Sequence, residues 1–218
     1  MEEFVSSVGT GLRFAGYGLA PLLLLPLLIL AAPRPLSGAS DKLSQILDRI
    51  SGAAMGFALA AAFLIILIQL AAVLLRYVFG LSFSWLNDSV IFTFAMMFML
   101  GAAATLRDDG HVRVDILRPR FSPRVKAGIE LFGSLVFIVP IGVLILYAGS
   151  GLIARSWIGL EHFNESDGLP IKYLFKTMVP LFAILMIGQA LSQSIKAAMI
   201  IRGLREPETD TDHSAEAL

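Results

Sequence analysis

Between residues 106 and 117 the chain reads LRDDGHVRVDIL, which gathers Asp108, Asp109, His111 and Asp115 into one short segment. These side chains can ligate a metal, and Arg107 and Arg113 beside them add charges of the kind an active site uses. A closed metal site needs three or four ligands converging in fixed geometry. Here they share a single surface stretch with Gly110 inside it. The alternation in HVRVDI sends Val112, Val114 and Ile116 one way and His111, Arg113 and Asp115 the other. A segment lying on lipid headgroups, or against a partner's edge, wants that division. The cluster therefore reads as solvated charge where the chain leaves a bilayer.

Other chemistry is weakly represented. The absence of cysteine excludes disulfides, thiolate metal sites and thiol nucleophiles. No serine has a histidine and an acid around it in a hydrolase pattern. A haem-b anchor needs axial ligands inside its bundle, yet His111, His162 and His213 all lie between or beyond the apolar runs. Met96, Met97 and Met99 do fall in a run, where methionine is an ordinary packing residue. Neither a cofactor nor an enzymatic activity is expected.

The elements that position these residues are apolar. Of 218 residues 56% are hydrophobic and 16% charged, with a mean hydropathy of +0.78; soluble domains carry about 25% charged residues. Lysine plus arginine and aspartate plus glutamate balance at 17 each, so there is no basic surface for nucleic acid. A membrane-crossing helix needs about 20 apolar residues, and residues 52–75, 89–106, 131–154 and 177–195 qualify. Residues 14–32 form a further apolar stretch with Gly16, Gly18, Pro21 and Pro26, read as an extra, kinked membrane helix. The expected fold is an all-α integral membrane protein: a four-helix transmembrane bundle, an extra N-terminal membrane helix and an interfacial amphipathic helix. Its divisions are 1–39, the bundle at 40–201, and an acidic, disordered tail at 202–218.

Residues 40–51, SDKLSQILDRIS, supply the amphipathic element, expected at the membrane surface and running into the span that starts at Gly52: Leu43, Ile46, Leu47 and Ile50 make one stripe, and Ser40 is placed to cap its start. Ser122 and Pro123 are placed to start another helix. The distribution of lysine and arginine orients the chain. With the 107–130 loop cytoplasmic, 12 basic residues lie on that side and five on the other, which puts the C-terminus in the cytoplasm. Ion and substrate pathways are marked by ionisable side chains inside a bundle, and the four spans contain none. Gln69 and Gln189 are their bulkiest polar groups, suited to hydrogen bonds between helices. Small residues at Gly52, Ala53, Gly56 and 101–105 permit close packing, within the chain or against a partner.

The stretches LLRYVFGLSFSW and FMLGAAATLRDDGHVRVDIL resemble the small permease subunit (DctQ-like) of tripartite ATP-independent periplasmic, or TRAP, transporters. The matching positions are Arg76 and Tyr77 ending one helix, Trp85 opening the next, Gly101 in the Leu-Gly-Ala stretch, and Arg107, His111, Val114 and Asp115. SWIGLEHFNESDGLPIKYLFK resembles the corresponding loop of longer members. The resemblance covers residues 43–200, with departures at Asn87, Asp88 and Ile91, where many members have two acids and an arginine.

That family implies a multi-pass subunit of the bacterial inner membrane. It is non-catalytic and works in a sodium-coupled importer of small organic acids. Its partners would be a large multi-span permease subunit, which it scaffolds, a periplasmic substrate-binding protein, and the lipid bilayer. Arg76, Tyr77, Trp85, Asp88, Gly101, Arg107, His111, Arg113 and Asp115 become the candidate family-motif and subunit-interface residues, with Arg76 able to pair with Asp88. The loop with Trp157, Glu161, Glu165 and Asp167 becomes the candidate face toward the binding protein. A membrane anchor of a redox complex and a self-sufficient small carrier are the alternatives.

Overall fold

A computed structural model describes residues 24–31, 33–108, 110, 121–163, 165 and 167–206. Its elements are helical: α1 (Leu25–Ala31), α2 (Pro33–Phe79), α3 (Ser84–Arg107), α4 (Pro123–Gly133), a π segment (Ser134–Ile138), α5 (Val139–Ile158) and α6 (Lys172–Ile201). Among the described residues, four helical stretches are long and apolar enough to cross a membrane: Gly38–Phe79, Ser84–Arg107, Pro123–Ile158 and Lys172–Ile201. The chain is an all-α, multi-pass membrane protein. The described part of the N-terminal apolar stretch is α1, whose Ile29 is buried against Leu191, Ile195 and Ala198 of α6. The rest of that stretch, the His111–Asp115 motif with Arg113, and the tail from residue 207 lie outside the described residues.

The bundle is built around α6, which packs against every other helix. The helix α2 lies at its edge: only 11% of its most apolar window is buried inside the chain, against 33% for α6. Where α2 does pack, it uses small side chains. Ser51, Ala54, Ala58 and Ala61 are buried at three- and four-residue spacing, which lets the backbones approach closely. Gly101 answers from α3: a Cβ there would sit 3.5 Å from the Ala58 Cβ, and Ala103 is fully buried in the same cluster. Ala53 and Gly56, also expected in the packing face, point outward instead.

Residues 40–51 run into the span as expected, without a break, as part of a 47-residue helix. Ser40 is therefore inside a helix and not its cap; its buried hydroxyl has no hydrogen-bond partner among the described residues. The apolar stripe is divided: Leu43 and Leu47 pack on α6, while Ile46 and Ile50 are exposed. The face turned inward also carries Ser44, Asp48 and Ser51, because α6 presents polar partners there.

The interruption at Ser134–Ile138 has a local cause in Pro140. Proline lacks an amide donor, and its ring crowds the carbonyl four residues back. A wider turn ahead of it accommodates both. Helix ends are set by left-handed residues. Gly203 (φ +69°) closes α6 with bonds from Gly203 N to Ile200 O and from Leu204 N to Met199 O, a Schellman arrangement. After α5 the left-handed position falls on Leu160 (φ 42°), one residue past Gly159, a conformation costing a non-glycine residue about 1–2 kcal/mol.

Candidate functional site

Polar groups converge at both ends of the bundle. At the end carrying the 108–122 connection, two matched stripes meet. Ser44, Asp48 and Ser51 lie along α2, and Gln189, Ser192 and Lys196 along α6. Lys196 Nζ sits 2.6 Å from Asp48 Oδ2, with the side chains 21% and 22% exposed. Ser192 Oγ donates to Asp48 Oδ1 at 2.7 Å, and Gln189 Nε2 donates to the same oxygen at 3.1 Å. Ser51 Oγ donates in turn to Gln189 Oε1 at 2.6 Å. Every oxygen of the Asp48 carboxylate thus has a donor, and its charge is met by an ammonium of the same chain.

Arg107 straps the same end. Its Nη1 donates to the Asp48 carbonyl at 3.1 Å, while Nε and Nη2 bond the Asp108 carboxylate at 2.6 and 2.9 Å. The guanidinium reaches α2 because residue 52 is glycine: a Cβ there would lie 2.8 Å from Nη1. Gln193 adds a bond from its amide to the Leu106 carbonyl, so α6 also grips the end of α3. Among the described residues no group of three or more histidine, cysteine, aspartate or glutamate side chains is placed to hold a metal.

At the opposite end the 159–171 connection is tied down by its own acids. The Glu161 carboxylate accepts from Lys176, from Ser156 Oγ at 2.7 Å and from Lys172 at 3.0 Å. Those donors, Lys176 first, hold its carboxyl at about 2 against an ordinary 4.5. Asp167 accepts from the Ser84 backbone N–H at 2.9 Å, at the start of α3, and that bond holds its carboxyl below the usual range. Asp88 Oδ2 accepts from Leu169 N at 3.0 Å. Trp157 donates from Nε1 to Thr177 Oγ1 at 2.9 Å and meets the Tyr173 ring edge-on, centroids 4.9 Å apart.

The sequence-selected residues therefore divide. Arg107 and Gly101 join helices, and Trp157, Glu161, Asp167 and Asp88 fold one loop onto the bundle. Glu165 and Asp167 are the exposed acids of the four-residue candidate face, Asp167 with one carboxylate oxygen on the Ser84 amide. Tyr77 and Trp85 are exposed, at 81% and 43%, as residues of an interfacial aromatic belt are. The expected Arg76–Asp88 pair does not form, since Asp88 is engaged with the Leu169 amide. Gln189 makes the expected interhelical bonds; Gln69 is exposed and makes none within the described residues. Sequence reasoning passed over Asp48, Lys196 and Ser192. The signal was present, polar residues at i, i+4, i+7 on one helix and i, i+3, i+7 on another, but nothing local says that two such stripes meet.

The family model for tripartite ATP-independent periplasmic transporters, DctQ component, matches residues 65–199, more than half of the chain. The match takes in the connections between the spans and nearly all of α6, and omits the first two thirds of α2. No curated protein and no solved structure matches the chain.

Proposed function

The chain belongs to the DctQ component family of tripartite ATP-independent periplasmic transporters, and we propose that within such a transporter it braces the large permease subunit and does not itself carry substrate. The transporter is a sodium-coupled importer of small organic acids fed by a periplasmic binding protein. The chain sits in the bacterial inner membrane with its C-terminus in the cytoplasm, as its excess of lysine and arginine at that end favours. It is non-catalytic.

The observation that carries this reading is the internal neutralisation of the bundle's polar core. A carrier keeps ionisable groups available to its cargo inside the bundle. Here Asp48 is saturated by Lys196, Ser192 and Gln189, and among the described residues the remaining buried polar side chains are serines and Thr93. The edge position of α2 supports a bracing role, since its exposed face, with Gly56 and Ala53 outward, is open to a neighbouring helix. The exposed end of the 159–171 connection is the face offered to the binding protein.

Reconstitution tests the reading. Vesicles holding all three components under an inward sodium gradient should accumulate an organic acid, and vesicles holding this chain alone should not. Uptake by the isolated chain would overturn the proposal, as would failure of the tagged chain to recover a large multi-span permease from native membranes.

A further inference from the structure

A groove of about 170 Å³ opens where α2 ends and α3 begins. Its α2 wall is Gln69, Ala72, Val73 and Arg76, at i, i+3, i+4 and i+7, one face of a helix. Leu86 and Asn87 of α3 face them. None of the lining residues is acidic, and Asp88, the nearest acid in sequence, is held by Leu169 N. Arg76 has no ion pair and Gln69 no hydrogen bond within the described residues.

Position along the membrane normal narrows the ligand. Arg76 directly follows the apolar run 52–75, so its guanidinium reaches headgroup depth. Gln69 lies seven residues earlier, about 10 Å deeper along the axis, where an amide without a partner is costly. The groove thus presents a cation at the surface, an apolar wall of Ala72, Val73 and Leu86, and an amide donor below. A soluble anion or a partner's carboxylate would satisfy Arg76 and leave Gln69 wanting. A glycerophospholipid satisfies both, with its phosphodiester on Arg76 and Asn87 and an ester carbonyl on the Gln69 amide. Arginine is suited to this task because its planar fork binds two phosphate oxygens at once.

We propose that this groove is a specific site for one glycerophospholipid, recognised by phosphate at Arg76 and by ester carbonyl at Gln69. Native mass spectrometry of the intact transporter, purified with phosphatidylglycerol and phosphatidylethanolamine, should find one retained phospholipid per small subunit. Arg76→Ala should lower that retention at least tenfold, and Gln69→Leu several-fold, while Gln69→Asn keeps most of it. Inorganic phosphate at millimolar concentration should not displace the lipid. Undiminished retention in a folded Arg76→Ala transporter would overturn the assignment. So would displacement by phosphate, which marks a soluble-anion site, or loss of the large subunit with lipid retention unchanged, which marks a partner's acid on Arg76. Should Arg76→Ala fail to fold, Arg76→Lys decides: it keeps the charge but not the fork, and retention equal to wild type would count against the site.

Discussion

Glu161 shows how a residue chosen for one role serves another. An acidic loop beside a tryptophan suggested a docking face, but Glu161 is turned inward onto Lys176, Ser156 and Lys172. The sequence hid this because Gly159 is the natural place for a helix to end, whereas the chain runs one residue further and puts Leu160 in the left-handed position. That step brings Glu161 N onto the Ser156 carbonyl at 3.0 Å and aims the carboxylate at both lysines. Its depressed pKa sets a direction for acid sensitivity. The ionised form is favoured in the folded loop, so the contribution is complete above pH about 4.5 and is lost as pH falls through about 2. In a Trp85→Phe background, Trp157 is the remaining tryptophan. Its emission should shift as pH falls across that window, and Glu161→Gln should show a smaller acid step, with Asp167 supplying what remains. Identical titrations would disprove the clamp. Lys196 is the second test at this scale. Lys196→Met leaves Asp48 charged and largely buried, and should cost about 3 kcal/mol in detergent unfolding. The Asp48→Asn/Lys196→Met double variant should lose less than the two single losses summed.

The helices themselves were legible, because runs of 18 or more apolar residues leave little else to form. Their pairings were less so. The small residues of 101–105 were visible as a packing surface, but which face of α2 met them was not. Ala54 and Ala58 do so, and Gly56 does not. Likewise 40–51 was visible as an amphipathic segment running into the span, but the polar groups at 44, 48 and 51 could not be assigned partners 138 to 148 residues away. Close approach between α5 and α6 rests on Gly142, where a Cβ would fall 2.6 Å from Ile187 Cγ1. Ile187 is fully buried and has nowhere to retreat. Gly142→Ala should therefore destabilise by about 1–3 kcal/mol, read as a lower Tm in detergent. Gly101→Ala, whose Cβ meets Ala58 at an ordinary 3.5 Å, should be close to neutral. Equal effects would mean that these contacts do not decide helix spacing.

The molecule as a whole is organised by its last long helix. Because α6 touches all the others, the elements made earlier have no shared core until it is in place. The order of synthesis then matters. While α6 is still in the ribosome, α2 has already entered the bilayer with Asp48 lacking its ammonium, and α5 with a notch at Gly142 that nothing fills. The nascent intermediate is a loose set of hairpins that the cell's membrane proteases can recognise. A chain stopped before Lys172 should insert yet be cleared within minutes, and separate expression of residues 165–206 in the same cell should rescue it. Pulse-chase labelling would measure this; equal lifetimes for the truncated and full-length chains would show that maturation does not wait for α6.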